Sequence, residues 1–209
     1  MTGLGFWSVL EKIRERELSD MDRRTEIIEA ARQSFTLFGY KATTMDQIAK
    51  LAKVGKGTIY TFFKNKDVLF EHIALQMVAE MKREVEAVID HDLPFTKNAH
   101  HVLMKILEFR EMHKLYAKLI EEEKSMNTPE VHTMMTKIED ALLSFLEERI
   151  EYAVSKGEMV ANDTRLVAYL LLKAYLAVAV EWSDYHENEL TEEQIIDLFQ
   201  GTIFRGLTP

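Results

Sequence analysis

The stretch KVGKGTIYTFFKNKD, residues 53–67, carries four lysines and three aromatic side chains in a chain whose net charge is −9. Ile59 and Phe63 lie four positions apart, so a short helix over 56–63 would place both on one face and bury them. The other side chains of that helix then point outward, including the rings of Tyr60 and Phe62. Exposed aromatic surface beside lysines is unusual on a monomeric protein, and it indicates a face that binds a partner.

Two further helices are predicted upstream of this stretch. Residues 22–38 carry apolar side chains at helical spacing, and Gly39 follows at the position of a left-handed helix end. A second helix over 44–52 begins with a capping box, in which Gln47 follows Thr44 by three positions. A tight turn joins this helix to the helix over 56–63, which is a helix-turn-helix pattern. The small core of this region is predicted to hold Ile28, Phe35, Phe38, Ile48, Ile59, Phe63 and Val68.

The charge is distributed unevenly along the chain. Residues 1–66 hold 12 basic and 8 acidic side chains, whereas residues 67–209 hold 14 basic and 27 acidic ones. A basic head on an acidic body suggests that the head binds a polyanion. Charge alone leaves open the alternative that these lysines only form a solvated face.

The segment TTMDQIAKLAKVGKGTIYTFFKNKD, with RRTEIIEAARQSFTLFGYKA before it, resembles the TetR/AcrR family of bacterial transcriptional regulators. The resemblance covers about residues 23–70. It implies an all-α homodimer with an N-terminal three-helix DNA-binding domain over 21–66 and a C-terminal helical ligand-binding and dimerisation domain over 67–209. Two recognition helices, one from each subunit, would enter successive major grooves of a palindromic double-stranded DNA operator.

The resemblance also implies which residues contact DNA. Gly55 departs from the family pattern, because members often carry a polar cap at this position. Glycine is an acceptable N-cap, so the helix survives, but one side-chain contact is missing. The implied DNA-binding positions are Thr43, Thr44, Lys56, Gly57, Thr58, Tyr60, Thr61, Phe62 and Lys66.

The body is predicted to consist of helices only. Asn65 is a good N-cap for a long helix that reaches about Asp90. Thr128, Asp163 (or Asn162) and Thr191 are predicted caps for later helices, and Gly157 is a predicted stop. The predicted ranges after the long helix are about 95–112, 114–125, 128–156, 163–185 and 192–205.

The helix over 163–185 is apolar nearly all round, which is typical of a helix that is buried on several sides. With the helix over 192–205 it would form a four-helix bundle across a two-fold axis, as the family resemblance implies for the dimer. A monomer with a deeply buried central helix is the alternative that the pattern leaves open.

A small lipophilic effector is expected to bind an apolar pocket in the body, because methionine-rich surfaces adapt to varied ligands. The acidic body could favour a cationic effector, with Glu108 or Glu181 as a buried counter-ion. The alternative is that these acids are solvated and keep the body away from DNA. Each aromatic or methionine side chain could equally be plain core. The candidate pocket residues are Met77, Met81, Met104, Met112, Tyr116, Met134, Ile138, Phe145 and Tyr169.

Several classes of protein are not indicated. The chain has no cysteine, which excludes disulfides and thiolate chemistry and suits a reducing cytosol. The longest apolar run, 166–180, is too short for a membrane span and is interrupted by Lys173. The sequence contains no catalytic, phosphate-binding or metal-ligating motif. We therefore expect a cytoplasmic protein without enzymatic activity, cofactor, metal or membrane partner.

The first twenty residues lie upstream of the segment that resembles the family. Phe6, Leu10 and Ile13, with Trp7, make a short amphipathic stripe. We expect an extra helix that is frayed or loosely docked. An arm near DNA, or a start of the natural chain at Met21, are the alternatives.

The sequence therefore predicts a DNA-binding regulator, a repressor that a ligand releases from its operator. The alternative is an architectural DNA-binding protein with the same head and a protein partner in place of a small effector. An enzyme built on the helical body would need a catalytic constellation, and the sequence shows none.

Overall fold

The computed structural model describes residues 3–182 and 186–208, and within these ranges the regular structure is helical. The all-α prediction is confirmed. The chain folds as two compact units, one ending at Ile73 and the other beginning at Ala74. The α-helices are α1 (Gly3–Ala42), α2 (Met45–Leu51), α3 (Lys56–Phe62), α4 (Lys66–Ala87), α5 (Phe95–Leu107), α6 (Arg110–Met126), α7 (Pro129–Ser155), α8 (Thr164–Leu176) and α9 (Glu192–Leu198).

Helix α1 is interrupted at Gly39, whose φ of 78° lies in the region that favours glycine. The helical end predicted there is therefore confirmed, with one further turn beyond it. Upstream, residues 3–20 continue α1 instead of forming an extra helix. The side chains of the predicted stripe (Phe6, Trp7, Leu10 and Ile13) lie outside the described part of the chain.

The core face of α1 includes Phe35, as predicted, but it is narrower than the predicted stripe of apolar residues. Ile27, Ala31 and Phe35, spaced by four, are fully buried, whereas Ile28 is half-buried and Phe38 is 61% exposed. Four-residue spacing keeps a stripe on one face, and the predicted set mixed two neighbouring faces. Ile48, Ile59 and Phe63 are buried as predicted.

Helix α4 completes this core. The Asn65 side chain accepts a hydrogen bond from the Val68 backbone N–H at 2.9 Å, which confirms the predicted N-cap. This cap directs Leu69, Phe70 and Ile73 inward and leaves Val68 exposed, contrary to the prediction for Val68. The Phe70 ring packs 4.9 Å from the Phe35 ring. The first unit consequently extends past the predicted boundary at residue 66.

We expect Phe35→Ala to destabilise the first unit by about 3–5 kcal/mol, because the ring is fully buried and leaves a cavity. Phe38→Ala, three positions along the same helix, is expected to change stability by less than about 0.5 kcal/mol because its ring is exposed. Urea unfolding followed by circular dichroism measures both. Equal losses for the two variants would contradict the assignment of Phe35 to the buried face of α1 and of Phe38 to its exposed face.

The second unit follows the predicted order of helices with shifted boundaries. The break predicted near residue 113 lies at Glu108 and Phe109, between α5 and α6. Helix α7 ends just before Gly157, whose φ of 71° confirms the predicted stop. The side chains of Asp163 and Thr191 cap α8 and α9, and Thr191 forms the predicted capping box with Gln194. A π-helical turn extends each of these two helices, over Ala177–Glu181 and Phe199–Ile203.

Among the described residues, no helix combines the length and the apolar character needed to cross a bilayer.

Candidate nucleic-acid interface and ligand cavity

The second and third helices are held at their ends by short-range hydrogen bonds. The predicted capping box of α2 is present, since the Gln47 backbone N–H donates to Thr44 Oγ1 at 3.2 Å and the Thr44 backbone N–H donates to Gln47 Oε1 at 2.9 Å. The turn that follows includes Lys53, with a φ of 55°. Gly55 then caps α3 without a side-chain hydrogen bond. The predicted helix-turn-helix is therefore confirmed.

Helix α3 presents one face to the core and the other to solvent. Ile59 and Phe63 anchor the inner face. A Cβ added at Gly57 would meet no other atom within 4 Å, so packing within the unit does not require glycine there. The outward face consists of the predicted DNA-binding positions, of which Lys56, Gly57, Tyr60 and Thr61 are exposed and Thr58 and Phe62 are half-buried.

An open cleft gathers five of the predicted positions. Besides these five, Met45 and Asp46 line it. The Lys56 ammonium donates to Asp46 Oδ2 at 2.9 Å, and this hydrogen bond raises the pKa of Lys56. Both side chains are exposed, and exposed ion pairs contribute little to stability, so Lys56 can exchange the carboxylate for another anion at small cost. The five predicted positions in the cleft are Thr43, Thr44, Lys56, Tyr60 and Lys66.

Thr43 and Lys66 hold the corner between α1 and α2. Thr43 is fully buried and its hydroxyl donates to the carbonyls of Gly39 at 2.7 Å and Ser34 at 3.1 Å. A direct DNA contact through the Thr43 side chain is inconsistent with this burial. The Lys66 ammonium donates to the carbonyls of Tyr40 at 2.9 Å and Thr43 at 3.0 Å, and it lies 4.0 Å from the centre of the Tyr40 ring. The Lys66 ammonium therefore stabilises this corner.

Comparison with known proteins agrees with this geometry. The model of the family described as "Bacterial regulatory proteins, tetR family" matches residues 27–73, which span the three-helix head. The HTH-type transcriptional regulator YhgD of Bacillus subtilis (strain 168) is 43% identical over 188 residues, which cover 90% of this chain and 98% of that protein. The chain belongs to the TetR family. It is a DNA-binding transcriptional regulator with a helix-turn-helix head.

Solved structures show that the likeness extends over the whole TetR-family fold. A TetR-family regulator from Mesorhizobium loti MAFF303099 superposes with a TM-score of 0.73 at 19% identity, over 91% of this chain and 98% of that one. SmeT in its complex with triclosan superposes with a TM-score of 0.72 at 19% identity, over 90% of this chain and 92% of that one. At these identities the likeness establishes the fold alone.

The second unit of this TetR-family chain encloses a cavity of about 200 Å³. Four of the predicted pocket residues line it, namely Met81, Met112, Tyr116 and Phe145. Five do not: Met77, Met134 and Ile138 are buried elsewhere in the core, and Met104 and Tyr169 are exposed. Residue type alone could not separate these groups, because methionine suits a core as well as a pocket. The lining residues that the sequence reasoning missed include Val85, Leu103, Leu142, Ile150, Leu172, Tyr175, Phe199 and Phe204.

The polar groups in the interior of the cavity are neutral. The Tyr175 hydroxyl lies 2.8 Å from His113 Nε2. Burial, with a smaller contribution from Arg110, lowers the pKa of His113 to about 4, so the imidazole is uncharged at neutral pH. Burial also raises the pKa of Tyr175 and, together with a hydrogen bond to Glu139, that of Tyr116. Glu108 and Glu181, the predicted counter-ions, do not line the cavity, because Glu108 pairs with Lys105 and Glu181 with Lys124.

The His113 environment predicts a pH dependence of stability. The folded pKa of about 4 is below the usual 6.5, so the unfolded state binds an extra proton between these values. Stability from this histidine is present above pH 6.5 and is lost as the pH falls toward 4. We expect wild type to lose on the order of 2 kcal/mol more than His113→Gln over this range. Urea unfolding at several pH values measures the difference.

The control is His101→Gln, which replaces an exposed histidine in the same unit. It is expected to lose stability with falling pH as wild type does. If the stability of His113→Gln falls with pH as that of wild type does, His113 takes up protons as readily in the folded state as in the unfolded state.

One surface of the second unit is unusually apolar. Leu166 and Leu170 are more than half exposed, and Tyr169 lies between them on the same side of α8. Leu198 at the end of α9 is exposed as well. Side chains three and four positions apart share one helix face, so α8 presents a continuous apolar strip to solvent.

Proposed function

We propose that this chain is a homodimeric repressor that binds a palindromic DNA operator and is released by a small lipophilic ligand. The observation that carries the proposal is the outward face of α3, where Lys56, Tyr60 and Thr61 are exposed beside the cleft. A short helix that is anchored by two apolar residues and carries hydroxyls, aromatic rings and a lysine outside suits a major groove.

The outward positions divide between base edges and the phosphate backbone. We assign base edges, thymine methyl groups and sugars to the outward side chains of α3, namely Thr58, Tyr60, Thr61 and Phe62. We assign Lys56 and Thr44, which both line the cleft, to phosphates. Gly57 leaves space for close approach of the DNA. In this proposal the buried Thr43 side chain holds the corner between α1 and α2 in the shape that these contacts need. Lys66 adds positive charge at the edge of the same corner.

The proposed dimer uses α8 and α9. The strip of Leu166, Tyr169 and Leu170 would remain in water in a monomer, whereas a second copy related by a two-fold axis would bury it. Such a dimer supplies two heads for two half-sites. The exposed leucines therefore favour the dimer over the monomer that the sequence left open.

The cavity supports the ligand-released mechanism. Its walls are mainly apolar, and the alternative of an architectural protein with a protein partner gives no reason for such a space. The SmeT structure, a complex with triclosan, has the same fold. In our proposal the ligand favours a spacing of the two heads that no longer fits successive grooves. A regulator of this kind acts in the cytoplasm, where the bacterial chromosome lies.

The test is selection of binding sites from a random duplex library with the purified full chain in about 0.15 M salt, where nonspecific binding is weak. We expect a palindrome whose half-sites are one helical turn apart. Recovery of sequence-independent, salt-labile binding would favour the architectural alternative. Reporter expression from the recovered site, with and without the gene for this chain, then separates a repressor from an activator.

A further inference from the structure

We propose that the cavity takes an anionic amphiphile, whose carboxylate pairs with Arg149 and whose hydrocarbon body fills the apolar interior. The inference deepens the ligand-binding part of the proposed function and rests on it. It names a chemical class where the sequence suggested only a lipophilic molecule, and it replaces the cationic effector considered from the sequence.

The cavity has a solvent-exposed end and a buried end. His91, Tyr152 and Lys156 line it and are exposed, so they mark the mouth. Tyr175 and Phe199, also in the lining, are buried and mark the interior. Arg149 lies one helical turn before Tyr152 on α7 and lines the same cavity. An amphiphile entering this space would therefore have its head near Arg149.

Arg149 has an unused hydrogen-bonding edge. Its Nη1 donates to Glu86 Oε1 at 2.8 Å, whereas Nη2 is 3.9 Å from Glu148 Oε2, too far for a hydrogen bond. Its Nε is buried and has no partner in the described part of the chain. A buried donor without a partner is costly. Nε and Nη2 form the side of the guanidinium that binds a carboxylate through two parallel hydrogen bonds.

Glu86 and Glu148 flank Arg149, and a second cation, Lys82, lies near the same aromatic ring. Lys82 Nζ and Arg149 Cζ lie 5.5 Å and 5.3 Å from the centre of the Phe145 ring, which is part of the cavity wall. Burial lowers the pKa of Lys82, and Glu148 offsets only part of this effect. Two cations are thus held close to the Phe145 ring, and Arg149, which lines the cavity, is the one that an anionic head group can pair with.

A cationic head group has no comparable partner. Glu158, one of the lining residues, accepts a hydrogen bond from the Phe95 backbone N–H at the start of α5 at 2.7 Å. Behind the wall, Glu139 accepts hydrogen bonds from Tyr116 at 2.5 Å and Lys173 at 2.7 Å. Each carboxylate therefore already accepts a hydrogen bond from the protein, and Glu139 is also paired with the Lys173 ammonium. The interior offers the neutral His113–Tyr175 pair and the neutral Tyr116 hydroxyl, which suit an uncharged body.

Three probes with one tail and three heads test the inference: decanoate, 1-decanol and decyltrimethylammonium. Calorimetric titration of the purified full chain without DNA, below the micelle and solubility limits, measures each affinity. We expect decanoate to bind about tenfold or more tighter than 1-decanol, as hydrogen bonds to a charged group would give. Decyltrimethylammonium is expected to bind more weakly than either.

Variants assign the preference to Arg149. Arg149→Met keeps a long apolar side chain, and it should remove the preference for decanoate over 1-decanol while 1-decanol still binds. Arg149→Lys keeps the charge without the two-donor edge and should retain part of the preference. The control is Arg83→Met, since Arg83 is exposed on α4 and does not line the cavity. It should bind all three probes as wild type does, with circular dichroism confirming each fold.

The outcomes distinguish this inference from the proposed function. Equal or tighter binding of 1-decanol or decyltrimethylammonium, an undiminished preference in Arg149→Met, or no binding of any probe overturns the anionic class. Operator binding is measured separately without ligand, so it survives any of these results. Tight decanoate binding that fails to release operator DNA would support the ligand class and contradict release by ligand.

Discussion

Tyr60→Ala is expected to lower operator affinity about 30-fold or more while the fold stays intact. The ring is 44% exposed at the centre of the outward face of α3 and lines the cleft, so its removal leaves the core unchanged. A contact of this kind contributes about 1 kcal/mol or more in each subunit, and a dimer loses it twice. Fluorescence anisotropy with the selected operator, at fixed salt, measures the loss.

The matched control is Tyr152→Ala, which removes a ring that is 45% exposed on α7 in the second unit. This variant should bind the operator like wild type when no ligand is present. If Tyr60→Ala also binds like wild type, the outward face of α3 is not the DNA-reading surface and our assignment of contacts is wrong.

Leu170→Glu is expected to weaken the dimer by about a thousandfold. Leu170 is 58% exposed in the single chain, and burial of a leucine contributes about 2 kcal/mol for each copy at a two-fold interface. The variant also brings two like charges toward each other. Glutamate is a good helix former, so α8 itself should persist. Sedimentation equilibrium measures dimerisation, and operator affinity should fall with it.

Val160→Glu is the matched control, because Val160 is 57% exposed but lies in the segment between α7 and α8. It should remain dimeric and bind the operator normally. A Leu170→Glu variant that stays dimeric would exclude this face of α8 from the interface.

The helix-turn-helix could be predicted from the sequence because its signals are local. Thr44 with Gln47, Gly39 and Asn65 each specify a helix end through hydrogen bonds or backbone conformation within a few residues. The pair Ile59 and Phe63 oriented α3 correctly for the same reason. The outward positions of the recognition helix followed directly, and the family resemblance agreed with them.

Predictions that depended on packing between helices were less accurate. Phe38 and Val68 were placed in the core, because apolar character does not distinguish two neighbouring faces of a helix. Thr43 was expected to touch DNA, yet its hydroxyl is used by carbonyls four and nine positions away. The DNA contact of Lys66 stays a prediction, and the sequence did not indicate that its ammonium also binds the carbonyls of the corner.

The second unit shows most clearly this difference between local sequence signals and packing between helices. The order and the caps of the helices in the second unit could be predicted from the sequence, since they depend on residues that are neighbours in sequence. Which side chains surround an empty space depends on how several helices meet, and no local pattern carries that information. His113 and Tyr175, 62 positions apart, become partners only in the folded unit. Arg149 likewise acquires its unused edge only where α4 and α7 bring Glu86 to one side of its guanidinium.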